Sequence, residues 1–208
     1  MDDQRYKSND VEEDAVGEAV SSSTYSHDES KRYTYADYCT WDDDQRWELI
    51  DGVPFLMSAP SSRHQEISSN IHGQLFALLK GKPCKVFAAP FDVRLNADTF
   101  DNTVVQPDII VLCDREKLDK AGYKGAPDFV IEIISPSTSS RDMFLKFELY
   151  RKVKVREYWV VVPDEKKVSA HILSKEDYIT RIYNETDSAP IHVLEGCVID
   201  LADVFEQW

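Results

Sequence analysis

Two stretches constrain this chain more than any others: VVQPDIIVL (104–112) and DFVIEIISPS (128–137). Each is an apolar run of strand length, rich in the β-branched residues that favour buried strands. Each is interrupted by one carboxylate, Asp108 in the first and Glu132 in the second. An isolated ionised carboxylate is costly to bury, so each acid must be paired, protonated or holding a cation.

The surrounding pattern predicts the other elements. Thr34 is an N-cap candidate for a short helix over 34–41. In RWELIDGVPFLMS (46–58), Asp51-Gly52 is a two-residue turn signal between apolar arms and predicts a hairpin. Over 64–82, Ile67, Ile71, Leu75, Leu78 and Leu79 share one face of a helix that Gly81 and Pro83 end. Residues 85–96 read as a strand with a proline interruption, 104–113 and 128–135 as strands, and 114–127 as a connection. A helix follows from about 139 to 152, then strands at 157–163, 167–174, 178–184 and 191–199. Cys113 reads as a small core residue, and Trp47, Tyr158 and Trp159 read as core. This order implies a mixed α/β (α+β) domain with a central sheet carrying helices.

Charge divides the chain. Residues 1–30 hold nine acids and two bases, which places half of the net −14 in a polar N-terminal tail. A flexible tail (1–30) and one folded domain (31–208) are therefore expected. An acidic body argues against tight binding of nucleic acid through phosphate contacts alone, but leaves room for a local basic groove or a neutralising cation. The four cysteines include no Cys-x-x-Cys pair. The acidic N-terminus lacks an apolar leader, and no run approaches the ~20 apolar residues of a membrane span. A soluble, cytoplasmic protein without membrane contact is the expectation, and no small-molecule cofactor motif is visible.

Asp108 stands near the start of its strand and Glu132 near the end of the next. If these strands are antiparallel neighbours, the acids lie abreast at one sheet edge. Two converging oxygen ligands suit a hard cation such as Mg²⁺ or Mn²⁺. On the following helix, Asp142, Lys146 and Tyr150 share one stripe, from which Lys146 can point back towards the acids. Each residue also has an ordinary alternative. Asp108 can cap backbone amides, Glu132 and Lys146 can form a structural pair, and Lys146 can be an exposed helix lysine.

Five ordered segments carry a family resemblance: WELIDGVP (47–54), QPDIIVL (106–112), PDFVIEIISPST (127–138), RDMFLKFELY (141–150) and EYWVVVP (157–163). Together they resemble the PD-(D/E)xK restriction endonuclease-like superfamily, and within it the large bacterial Uma-type branch, over about residues 33–205. The resemblance implies a restriction endonuclease-like central mixed sheet flanked by helices. It also implies Mg²⁺- or Mn²⁺-dependent hydrolysis of DNA phosphodiester bonds. Asp108 and Glu132 would hold the cation with the backbone carbonyl of Ile133. Lys146 would position the attacking water, and Glu48 would be an additional acid. His64 and Gln65 would contact a phosphate. A homodimer is compatible with cutting both strands. The sequence departs from the pattern at Ile134, where the customary lysine stands two residues after the Glu, so the resemblance implies that the lysine has moved to position 146. The glycine usual before EYW is also replaced, in VKVREYW. A second reading is a catalytically weak or inactive nucleic-acid-binding or regulatory module on the same scaffold. A third is an assembly protein using its acidic tail as an interaction arm.

Overall fold

The three most apolar runs form adjacent strands at the centre of the fold. In this computed structural model, residues 27–28, 30–135 and 140–206 are described, the side chains of 140–142 excepted. In chain order the elements are α1 (Tyr35–Tyr38), β1 (Trp47–Ile50), β2 (Val53–Leu56), α2 (Ser62–Leu79), β3 (Lys85–Ala88), β4 (Val93–Arg94), β5 (Val104–Val105) and β6 (Ile109–Leu112). A 3-10 turn (Arg115–Lys117) leads to β7 (Leu118–Asp119), β8 (Gly122–Lys124), β9 (Phe129–Ile133) and α3 (Ser140–Lys152). The chain continues with β10 (Glu157–Val162), β11 (Lys167–Ser174), β12 (Asp177–Asn184), β13 (Ser188–Pro190), β14 (Val198–Asp200) and α4 (Leu201–Phe205).

Among the described residues the strands form two six-stranded sheets and one small pair, rather than the single sheet expected. The first sheet has the order β2-β1-β5-β4-β8-β7, and the second β12-β11-β10-β9-β6-β3. In the second, β6 runs antiparallel to β9, and β9 runs parallel to β10, with α3 making the crossover. Both faces of this sheet's three central strands, β6, β9 and β10, are covered, which is why they read as nearly unbroken apolar runs. On one face Ile109, Val111, Ile131 and Trp159 pack against Ile67, Ile71 and Leu75 of α2 and Leu201 of α4. On the other, Ile110, Val130, Tyr158 and Val160 meet Leu149 and Tyr150 of α3 and Val93 and Tyr123 of the first sheet. Each fully buried aliphatic side chain contributes roughly 1.5–3 kcal/mol.

Local chemistry explains the shorter elements. Thr34 caps α1 in a reciprocal box with Asp37. Asp51 and Gly52 both have positive φ, 48° and 79°, the conformation of a tight hairpin turn. A Cβ on Gly52 would lie 3.1 Å from the Tyr33 carbonyl, so glycine is needed there for space as well. The acidic tail lies largely outside the described residues. His27, at its end, stacks on Trp41 at 3.8 Å between ring centroids.

Several expectations need correction. The strand expected over 85–96 is two strands in different sheets, separated at the cis Ala89–Pro90 bond. The strand expected over 104–113 likewise splits into β5 and β6, because Pro107 has no amide to continue a ladder. Of the strand expected over 191–199 only the last two residues are strand, the start of β14; residues 191–197 form a loop between β13 and β14, closed by the Ile191 amide on the Cys197 carbonyl. Helix α4, capped by Asp200, was not anticipated. Cys113 is not a lone core residue: it forms a disulfide with Cys84, one step beyond the Lys85–Leu112 pair across β3 and β6. Trp47, Tyr158 and Trp159 are core, as expected. Among the described residues, no helix is long and apolar enough to cross a membrane.

The disulfide gives a direct test. Alkylation in denaturant without reductant should label only the two free cysteines, Cys39 and Cys197, and reductant should expose two more. Reduction should lower unfolding free energy by roughly 3–4 kcal/mol, the loop-closure value for this separation. Labelling of all four without reductant would show the bond absent.

Candidate active site

The site is built where the chain passes from one sheet to the other. β5 belongs to the first sheet and β6 to the second, and Gln106, Pro107 and Asp108 make the crossing. Leaving a sheet strands backbone donors, and those of Gln106 and Pro107 are accounted for. Gln106 donates its amide to Glu48 Oε1 at 2.7 Å, and Pro107 has none to satisfy. The Gln106 side chain anchors the crossing further. It accepts from Arg46 Nη2 at 2.8 Å and donates to Asp92 at 2.8 Å and to the Tyr38 hydroxyl at 3.1 Å.

Ile109 pairs with Ile131, so the antiparallel register places Asp108 opposite Glu132 one step on. Asp108 Oδ2 accepts the Ile133 amide at 2.7 Å and lies 3.2 Å from His64 Nε2 in the first turn of α2. Glu132 falls on the face of β9 that looks towards α3. Its Oε1 receives Lys146 Nζ at 3.0 Å and the Tyr150 hydroxyl at 2.6 Å. Lys146 Nζ also lies 2.6 Å from Glu48 Oε1 on β1. One ammonium thus joins an acid from each sheet. Glu48, Asp108, Glu132 and Lys146 all line one cavity of about 260 Å³.

Burial sets the electrostatics. It pushes the Glu132 carboxyl up to about 7, with Asp108 and Glu48 adding to the rise and Lys146 and Tyr150 opposing it. Burial alone would favour a neutral Lys146, but Glu132 and Glu48 together outweigh it and hold the amine charged. His64 is likewise disfavoured as a cation by burial, yet Asp108 raises it overall. Burial, then the nearby carboxylates, raises the Tyr150 phenol well above its usual range, so it remains an O–H donor.

The structure brings together Glu48, His64, Gln65, Asp108, Glu132, Ile133 and Lys146 around this cavity. Ile134, at the customary lysine position, lines it too. The Asp142 side chain lies outside the described residues. The ordinary alternatives are also realised in part, since Asp108 does accept a backbone amide and Glu132 does pair with Lys146. Glu48 too has its ordinary reading, as a structural strand acid, realised in part by its pairing with the same ammonium and with the Gln106 amide. Tyr150 and Arg46 were missed as site residues. The stripe shared by Lys146 and Tyr150 was the available signal for Tyr150. Arg46 had none, because it lines the cavity from the residue before β1.

Residues 32–202 match the model of the Uma2 family, whose description is "putative restriction endonuclease". The chain belongs to the Uma2 family. A similar fold occurs in a crystal structure from Anabaena variabilis described as a putative nuclease belonging to DUF820. The TM-score is 0.68 at 19% identity, covering 83% of this chain and 97% of that one. An uncharacterised protein of Synechocystis, slr1290, is 29% identical over 116 residues, which span 55% of this chain and 60% of that protein. The Uma2 match covers all five segments singled out in the sequence, and the fold is a mixed α+β one shared with a nuclease-like neighbour.

Two outcomes test the electrostatics. Lys146→Met strands two carboxylates and should cost roughly 3 kcal/mol in denaturant melts, with part restored by adding Glu48→Gln. An unchanged melt would mean that the ammonium does not bridge the acids. Secondly, the Glu132 pKa is raised on folding from 4.5 to about 7, so proton binding favours the folded state. Its contribution should be fully present below the unfolded value and lost as pH rises through about 7. In EDTA, wild-type stability should therefore fall relative to Glu132→Gln between pH 5 and 7; parallel profiles would contradict the shift.

Proposed function

We propose that this protein is a divalent-cation-dependent endonuclease that hydrolyses DNA phosphodiester bonds. The observation that carries the reading is the meeting of three carboxylates and one ammonium, Asp108, Glu132, Glu48 and Lys146, in a single cavity. Carboxylates gathered in a partly desolvated site favour uptake of a cation. The donor chemistry fits one. Asp108 and Glu132 supply oxygens from paired strand ends, and Ile133 lies beside them to offer its carbonyl. Among the described residues, no hydrogen bond is made to Asp108 Oδ1 or Glu132 Oε2, which leaves each acid an oxygen for a ligand. No group of three or more His, Cys, Asp or Glu side chains gathers as a metal cluster among those residues. A two-carboxylate set suits Mg²⁺ or Mn²⁺, which keep positions for water and substrate phosphate. When bound, such an ion polarises the phosphoryl group and activates water.

The chain's own groups have separable roles in this reading. Lys146, kept charged by its two acids, donates to the attacking water and offsets charge developing on the phosphate. Glu48 holds that amine in place while also fixing the Gln106 crossing. Tyr150 orients Glu132 through Oε1. His64 and Gln65, opening α2, contact phosphate oxygens. A homodimer would supply the second site needed to cut both strands. A cytoplasmic location is part of the proposal; there the Cys84–Cys113 pair would spend much of its time as thiols. One observation favours a binding module without turnover: the Lys146 amine is already engaged by two carboxylates.

Purified protein with Mg²⁺ or Mn²⁺ should nick or linearise plasmid DNA and stop on adding EDTA. Asp108→Ala should lower the rate at least about a thousand-fold, equivalent to roughly 4 kcal/mol of transition-state stabilisation. Calorimetry should show Mn²⁺ binding that Asp108→Ala removes. Cutting that survives Asp108→Ala would sink the assignment, and metal binding with no turnover would favour the binding module.

A further inference from the structure

A second cavity, of about 240 Å³, opens on the far side of Asp108. It shares Gln65, Ala89 and Asp108 with the first and continues along α2 past Ser69, His72 and Gly73. The next residue on this stripe is Phe76, whose ring is 63% exposed and lies nearly parallel to His72, with 6.4 Å between centroids and 21° between planes. The adjoining face of α2 is occupied: Asn70 and Gln74 donate to backbone carbonyls of Asp203 and Asp200. The stripe through Ser69, His72 and Phe76 therefore faces open space beside the candidate active site.

Its charge is unlike the rest of the molecule. Residues 67–91 contain no Asp or Glu, the longest such stretch in a chain of net charge −14, and they hold three lysines. Lys80, Lys82 and Lys85 are exposed beyond the C-terminal end of α2. From Gln65 to Lys80 the helix rises about 22 Å, room for several nucleotides of a single strand. Hydroxyl and imidazole donors, an exposed aromatic ring and a distal cluster of cations are the features that hold a single nucleic-acid strand.

The geometry points to a track along α2 for the single-stranded DNA segment flanking the cleaved bond, with Ser69 and His72 on phosphates and Phe76 stacked on a base. The track rests on the nuclease reading above and extends it. It makes the site asymmetric: the scissile phosphate sits at Asp108, and the flanking nucleotides run towards Lys80. Steering by this one acid-free strip reconciles an acidic protein with a polyanionic substrate.

Gly73 provides the test. A Cβ there meets nothing within 4 Å, and Lys and Glu both have higher helix propensity than Gly, so these substitutions are tolerated by the fold. Two variants, Gly73→Lys and Gly73→Glu, place opposite charges in the groove. Phe76→Trp adds a stacking reporter at an exposed position. The probe is a short labelled single-stranded DNA oligonucleotide, titrated in Mn²⁺ against the full chain carrying Asp108→Asn to prevent cutting. Affinity should differ about tenfold or more between the Lys and Glu variants, in favour of Lys. Base stacking should quench the added Trp fluorescence at the same oligonucleotide concentration. If the oligonucleotide binds, or wild type cuts DNA, while the Gly73 variants behave alike and the Trp signal is unmoved, the track is wrong and the nuclease reading stands. If no variant binds and wild type does not cut, both fall together.

Discussion

The arrangement depends on a single largely buried ammonium. Lys146 reaches from α3 to Glu48 on the first sheet and Glu132 on the second, and neither acid has another cationic neighbour within ion-pair distance among the described residues. Taking such charges out of water costs several kcal/mol each, and only close, hydrogen-bonded opposition offsets it. The same Glu48 oxygen that receives the ammonium also receives the Gln106 amide. One interaction therefore sets the spacing of two sheets, the docking of a helix and the position of the segment carrying Asp108.

Placing the acids where two sheets join resolves a conflict between stability and chemistry. A carboxylate in mid-sheet would meet apolar layers on both faces. At the crossing, the ladder is already interrupted by Pro107, and the freed backbone groups supply polar partners. Asp108 uses one of these, the Ile133 amide, while remaining open to the cavity. The burial that makes Glu132 reluctant to ionise also makes the site receptive to a counter-charge.

Much of this was legible in the residues. The length and near-continuous apolarity of the runs at 109–112, 129–133 and 157–162 identified the central strands, because a layer covered on both faces leaves an unmistakable apolar signature. Asp51-Gly52 identified its hairpin through backbone geometry that few residue pairs adopt. Asp108, Glu132 and Lys146 stood out as charges in apolar company. The first sheet was hidden because β4, β5, β7 and β8 are two or three residues long, too short for periodicity to register. The Cys84–Cys113 bond was hidden because their proximity depends on the register of β3 against β6. Tyr150 shared the stripe with Lys146 but carried no role, because a phenol buries like a hydrocarbon and its hydroxyl matters only once Glu132 is known to lie within reach.

The tight turn at Asp51-Gly52 has a consequence for how such proteins can vary. It fixes which side chains of β1 point inward, and Glu48 is one of them, paired across from Phe55. Adding or removing a single residue between the turn and Glu48 would rotate the acid to the opposite side of the ribbon and present Trp47 or Leu49 in its stead. Lengthening is thus tolerable only beyond the arms, so this short ribbon works as a ruler that measures three residues back from Asp51 to the acid through which the first sheet meets the ammonium.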